Sequence, residues 1–412
     1  MTVLENGTLT AGALRAAVRD AQAVRLNLRL EPAGGRHEHV YPPTYPGEGR
    51  DSKPRHAVEE RWVNGEKVPC VVLDSVQSQA NRLELALLQA LRAGDIRVPH
   101  LSVSLPGGDG TVRAYTSLEL SHRAADAVFR DSLLDGEPFQ TSPLGRRLQQ
   151  GDADATALFE TDPASLLHGV WWSTQLKGRA SVRLTRALTS SITGINFVPG
   201  LKPTSRLDAL GIVRQIPIRL IDDGADWELG EPPGKGAGRK EKATRPSEIN
   251  HGNVTPSLLP LGGAIDHARQ TAVLSFVRLR QIRFPNGAGA ADAERDAAAR
   301  AVLAALALVE LTAQAHQGYD LRAGCFLVPV PPAESEAADQ PHGFELLTPA
   351  GAEPFALDYP AATALLADAV AAAAAAGLSW RGEPTVLTPT AKLADLKRIS
   401  DRLGGQGDDE AE

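Results

Sequence analysis

The chain has 412 residues, 42% of them apolar and 23% charged, with a formal net charge of −7. Those proportions are those of a soluble globular protein with room for one large elaborated domain or two ordinary ones. Two cysteines, Cys70 and Cys325, each in an apolar run, argue against a disulfide framework or a Cys-ligated zinc site. The N-terminus carries no basic-then-apolar signal and no run reaches membrane-span length, so the expectation is a cytoplasmic protein that meets no membrane.

In chain order, Leu9 to Ala23 has a helical pattern with Leu14, Val18 and Ala21 on one side. Val24 to Leu30 alternates strictly, which predicts a half-buried strand whose second face carries Arg25, Asn27 and Arg29. That face suits either an RNA platform or plain solvation. Residues 31–69 are too long and polar for a simple connection and read as an inserted loop or hairpin. His37, Glu38 and His39 fall there, but neighbours on a strand point to opposite faces, so no metal site is expected. Val71 to Leu73 reads as a short strand, with Asp74 or Ser75 capping a helix that has Val76, Ala80, Leu83 and Leu87 on its core side. Gln77, Ser78, Asn81 and Arg82 share the polar first turns of that helix, where N–H groups and the dipole favour phosphate.

Leu101 to Leu105 and Val112 to Leu120 form a hairpin around PGGDG, followed by a helix from Ser121 to about Leu134 and a short one from Pro143 to Gln150. Residues 222–256 are rich in Gly, Pro and Lys without apolar periodicity, which predicts a mobile basic loop that orders on a partner. Their glycines do not match the spacing of a phosphate loop. Ala272 to Arg283 reads as a strand with Arg278, Arg280 and Arg283 as alternates, and Ala290 to Gln317 as a long helix stopped by Gly318. Tyr319 to Val330 reads as a strand, Ala361 to Ala376 and Lys392 to Leu403 as helices, and residues 404–412 as a disordered acidic tail. Strands and helices interleave irregularly, which suits an α+β sheet with long insertions.

Charge is unevenly spread. From His168 to Arg219 the chain holds eight Lys and Arg against one acid, Asp208, while from Asp320 to Glu412 it holds fifteen acids against six bases. The central reversal of sign, opening on Trp171 and Trp172, points to a polyanion. Lys177, Arg179 and Arg183 would neutralise phosphates, with His168 and Ser173 beside them, and one tryptophan, taken as Trp172, would stack on bases while the other enters the core. His168 could also serve as a general base near a 2′-hydroxyl, with His122, His251 or His267 as partner. Each histidine is isolated in sequence, and no HExxH, GxSxG or paired-carboxylate motif supports hydrolysis. Binding, with no metal and no cofactor, is therefore favoured over catalysis.

Four blocks then carry a resemblance: LDSVQSQANRLE (73–84), HGVWWSTQLKGRASVRLTRAL (168–188), RPSEINHGN (245–253) and YDLRAGCFLVP (319–329), with YPPTYP (41–46) ahead of them. Together they resemble the backbone subunit of type I-U (I-G) CRISPR surveillance complexes, a RAMP-superfamily protein. The resemblance implies one elaborated domain, an RRM-like (ferredoxin-like) palm with finger and thumb insertions. It also implies copies aligned along one CRISPR RNA, which pairs with target DNA, and other subunits with a separate helicase-nuclease as partners. The alternatives are a metal-independent RAMP-type endoribonuclease that trims precursor guide RNA, and a protein-interaction scaffold.

Overall fold

The computed structural model describes residues 9–47, 53–107, 110–173, 182–221, 226–230, 242–330 and 342–404. Helix α1 (Ala11–Asp20) is started by Thr10, whose Oγ1 accepts from Ala13 N at 3.1 Å, and it buries Leu14, Ala17 and Val18. Strand β1 (Ala23–Pro32) follows with the expected alternation. The insertion at 31–69 contains half a hairpin: β2 (Val58–Val63) turns through Asn64 and Gly65, at φ 50° and 82°, into β3 (Glu66–Asp74). Asn-Gly supplies the left-handed pair that a two-residue hairpin turn needs. The strand expected at Val71–Leu73 is therefore lengthened on its N-terminal side. Helix α2 (Val76–Ala93) lies between cap Ser75 and left-handed Gly94.

Beyond it, β4 (Leu101–Pro106) and β5 (Val112–Thr116) form the expected hairpin. The helix expected from Ser121 breaks into Arg123–Ala125 and Ala127–Arg130, then a strand at Ser132–Leu134. The two pieces part at Asp126, whose backbone is extended, and the first opens on Arg123, at φ 52°, whose side chain turns inward to Glu84. A two-stranded ribbon, β6 (Val170–Trp172) and β7 (Val182–Leu184), precedes β8 (Leu188–Ile195).

The next elements make an arm. β9 (Lys202–Arg206) pairs with a later strand, and β10 (Ile218–Ile221) lies between β11 (Asp226–Leu229) and β12 (Lys242–Thr244). β13 (Val254–Leu259) completes it. The described parts of 222–256 thus hold strands where a loop is expected, because their pairing partners lie in other stretches. The strand expected at Ala272–Arg283 is β14 (His267–Ser275). Ser275 accepts from Arg278 N at 3.2 Å and starts a helical turn, so the arginine alternates are not on a strand. Arg280 instead closes the end of α1, donating to Val18 O at 2.8 Å and Ala21 O at 2.7 Å.

Helix α3 (Ala293–Gln317) ends at Gly318 as expected. The strand expected at Tyr319–Val330 is a hairpin, β15 (Tyr319–Arg322) and β16 (Cys325–Pro329), turned at Gly324 with φ 73°. A second hairpin, β17 (Gly343–Thr348) and β18 (Gly351–Phe355), leads to α4 (Tyr359–Ala375), β19 (Thr385–Pro389) and α5 (Ala391–Gly404). The expected tail falls, from 405 onward, outside the described residues.

The main sheet is antiparallel and curled, in the order β15-β16-β1-β14-β8-β3-β2, with β17 and β18 added at the other end of β1. A smaller sheet sets β19 parallel to β4, so the C-terminal portion packs back on the N-terminal half. On one face of the main sheet, α3 is packed among α1, α2 and α4. From Ala298 to Gln314 nearly every α3 residue is buried, which explains its composition: neighbours on all sides leave room for little but Ala and Leu.

At the sheet–helix boundary sits a buried amide cluster. Gln270 of β14 donates to Gln79 Oε1 at 3.1 Å, Ser190 Oγ at 3.1 Å and Gln314 Oε1 at 2.9 Å, and Tyr319 OH donates to Gln270 Oε1 at 2.6 Å. It fixes α2, α3, β8 and β15 to one strand. Gln270→Leu would take the partner from Gln314 Oε1 and Tyr319 OH, at about 1–3 kcal/mol each, while Ser190 Oγ still donates to Gln79 Oε1 at 2.9 Å. Urea denaturation should show a loss of at least about 2 kcal/mol; a loss below 1 kcal/mol would mean the cluster does not organise the packing.

Candidate nucleic-acid interface

The first turns of α2 divide by helical phase. Gln79 faces inward, while Gln77 and Asn81 are exposed and Ser78 is half-buried. Ahead of them, Asp74 is fully buried; its Oδ2 accepts from Gln79 Nε2 at 2.7 Å and Arg82 Nε at 3.1 Å, and its Oδ1 lies 3.5 Å from Arg322. Arg82 also donates to the carbonyls of Asp320, at 3.1 Å, and Leu321. Its guanidinium therefore binds α2 to the β15–β16 hairpin, and the expectation of Arg82 as an outward RNA contact is corrected.

The ribbon β6–β7 stands beside this helix end. Gly169, at φ 83°, brings it in close, since a Cβ there would lie 2.9 Å from Leu184 O. Arg186 fastens the two parts, donating from Nε to His168 O at 3.1 Å and from an Nη to Val76 O at 3.2 Å. Alternation along β6 puts Trp172 in the core at 6% exposure and Trp171 outside at 57%. One tryptophan is buried and one exposed as expected, but the outward one is Trp171, so Trp172 is corrected to a core residue. Arg183, the cross-strand partner of Trp171, holds its guanidinium 6.0 Å from the Trp171 ring, in cation–π range. Exposed Ser173 shares a cavity of about 200 Å³ with Trp171, Arg130 and Gln149. Lys177 and Arg179 lie outside the described residues.

His168 is corrected too. It is 1% exposed, with Nε2 2.8 Å from Glu310 Oε2, and so cannot touch a strand at the surface. Beside it Arg123 grips Glu84 with two hydrogen bonds, at 2.5 and 2.6 Å. Burial pushes the Glu310 carboxyl up to about 8 against the pull of Arg123, and pushes the His168 imidazole down to about 4 against the pull of Glu84. Burial likewise lifts Glu84 to about 7. The His168–Glu310 pair thus holds a single proton across neutral pH, a structural bond under the ribbon.

Arg25 and Arg29 belong to a different surface, the face of the main sheet turned away from the helices. There Arg29, Arg269 and Thr193 are cross-strand neighbours, as are Asn27, Thr271 and Ser191, and Arg25, Val273 and Thr189. Arg25 pairs with Glu345 at 2.7 Å and Arg29 with Glu31 at 3.4 Å, which offsets much of the charge the strand sequence implies. Arg269 makes no ion pair among the described residues, and burial, with Arg29 nearby, holds its guanidinium below the usual range. Sequence reasoning missed Arg269 and Thr271 because it began β14 too late; the alternation His267, Arg269, Thr271 carried the signal.

Among the described residues no group of three His, Cys, Asp or Glu is placed to hold a metal ion, and no helix is long and apolar enough to cross a membrane. Over less than half of its length the chain is similar to a CRISPR-associated family. Residues 24–199 match the family model described as CRISPR-associated protein GSU0053, a span that runs from β1 through β8 and includes both α2 and the tryptophan ribbon. No curated protein matches the chain.

A pH test follows from the buried pair. Glu310 has a folded pKa above that of the unfolded chain, so its contribution is full below about 4.5 and is lost as pH rises through about 8. His168 acts oppositely: its contribution is full above 6.5 and is lost as pH falls toward about 4. Glu310→Gln keeps a donor for His168 and cannot ionise. Between pH 6 and 9 the wild type should lose about 2 kcal/mol more stability than the variant in urea titrations; parallel curves would contradict the assignment.

Proposed function

We propose that this chain is a guide-RNA-binding backbone subunit of a CRISPR surveillance complex, repeated along the RNA, and that it does not cut nucleic acid. The observation that carries the reading is the pairing of exposed Trp171 with Arg183 on a ribbon fastened by Arg186 to the polar start of α2. An outward aromatic ring offers stacking that tolerates any base, and an adjacent guanidinium offers a phosphate contact. Gln77, Ser78 and Asn81 extend that surface, and Lys177 and Arg179 continue it in sequence.

The RRM-like palm is supported by helices on one face of an antiparallel sheet whose other face bears Arg25, Arg29 and Arg269 between hydroxyls. The arm from β9 to β13 is the thumb or finger of the type I-U/I-G reading. It exposes Leu201, Leu207, Leu210, Leu229 and Leu258, more apolar surface than an arm in water keeps unpartnered, which favours docking on a neighbouring copy or another subunit. Target DNA would then be met through the guide's bases, and cleavage falls to a separate helicase-nuclease. Against the endoribonuclease alternative, the buried bond of His168 to Glu310 withholds the base that reading named first.

Binding to single-stranded RNA at several salt concentrations tests the proposal. Replacing Lys177, Arg179 and Arg183 with Gln together should flatten the log–log salt slope by up to about 2, at about 0.7 per phosphate contact. Trp171→Ala should leave the slope intact and weaken affinity roughly 5- to 100-fold, one lost stack. An unchanged slope in the triple variant, or discrete metal-independent cleavage of precursor RNA, would overturn it.

A further inference from the structure

Two sequence blocks outside the tryptophan ribbon converge on one cavity. The YPPT segment (Tyr41–Thr44) and the turn of the β15–β16 hairpin (Arg322–Gly324) face Lys202, at the start of the arm, across a space of about 650 Å³. That volume lies in the range of small-ligand sites. Among the described residues no carboxylate lines the cavity.

Its aromatic wall is built rather than incidental. Tyr41 N donates to Gly324 O at 3.1 Å, and the ring edge passes two glycines at positive φ. A Cβ on Gly324 would lie 2.4 Å from the ring, and one on Gly262 would lie 2.9 Å from it. His56 fixes the segment from behind, with Nδ1 3.0 Å from Pro43 O and Nε2 accepting from Gly262 N at 2.7 Å. Both nitrogens are thereby used, so His56 is a brace.

The cations are less fully spent. Lys202 Nζ stands 5.7 Å from the Tyr41 ring centroid and makes no ion pair among the described residues. Arg322 reaches only one oxygen of Asp74, at 3.5 Å, while Arg82 and Gln79 take the other. One Nη of Arg322 is buried without any hydrogen-bond partner. A guanidinium has five N–H donors, and two guanidiniums here share a single carboxylate, which leaves net positive charge under the cavity.

We propose that this cavity is a nucleotide subsite: it takes one unit of a single-stranded RNA, with the base against Tyr41 and the phosphate between Lys202 and Arg322. A planar ring beside unneutralised cations matches a base joined to a phosphodiester. An acidic peptide would satisfy the cations and leave the ring unused. The inference rests on the RNA-binding reading and adds a contact on elements distinct from the ribbon.

The experiment uses the full chain and 5-iodouridine-substituted single-stranded RNA. Irradiation should attach RNA to Tyr41, located by peptide mass spectrometry. Lys202→Gln, an exposed change that leaves the fold intact, should flatten the salt slope by about 0.7. Tyr41→Ala should weaken binding roughly 5- to 100-fold, and Tyr41→Phe should restore it, because only the ring is needed. Should RNA bind the wild type with a steep slope while Lys202→Gln leaves that slope unchanged and no adduct forms at Tyr41, the subsite is overturned and the general reading survives. A wild type with no salt-dependent RNA affinity overturns both. Polyglutamate binding that is lost in Lys202→Gln, with no RNA adduct at Tyr41, would assign the cavity to acidic protein and overturn the nucleotide.

Discussion

Asp74 is a carboxylate with no solvent exposure, and the arrangement around it depends on keeping that charge neutralised. An unpaired buried ion would cost several kcal/mol, so its partners are obligatory rather than decorative. Those partners are Gln79 and Arg82 from α2 and Arg322 from β15. One anion therefore decides how the helix start, the end of β3 and the β15–β16 hairpin meet. It also ties two of the sequence blocks, which lie some hundreds of positions apart, into a single region.

Around that anchor the polar chemistry is layered. The amide cluster at Gln270 joins sheet to helices, and the His168–Glu310 and Arg123–Glu84 pairs support the ribbon from beneath. These groups rigidify what they touch because each has a buried partner and nowhere else to turn. Among the described residues, the groups left outside these buried networks include Trp171 with Arg183, the exposed amides of α2, and Lys202 near Tyr41. On the proposed reading, a surface held this way would grip a strand without reorganising, which would limit the entropy lost on binding.

Several site residues were legible in the sequence and several were not. Gln77 and Asn81 were, since helical phase alone turns them away from Leu83 and Leu87. Arg82 shares that phase but is long enough to reach back over the helix end to Asp74, a partner that spacing does not reveal. The tryptophans illustrate the same limit. Alternation states that one of Trp171 and Trp172 is inside, yet which one depends on the side of the ribbon that meets the core. His168 offered a general base in sequence, and only Glu310, from a helix 142 residues away, turned it into a buried structural pair.

By itself the sequence determined the local elements with strong periodicity or punctuation: α1, β1, α2, the β4–β5 hairpin, α3 and α4. It also determined the concentration of positive charge in the middle of the chain. Those follow from short-range rules, the 3.6 and 2.0 periods and the caps at Ser75, Gly94 and Gly318. Only the tertiary structure decided the order of strands in the curled sheet, the strands hidden in 222–256, the early start of β14, and which arginines pair with carboxylates. Most of those are set by partners distant in sequence, and a long-range contact leaves little trace in the residues that flank either end.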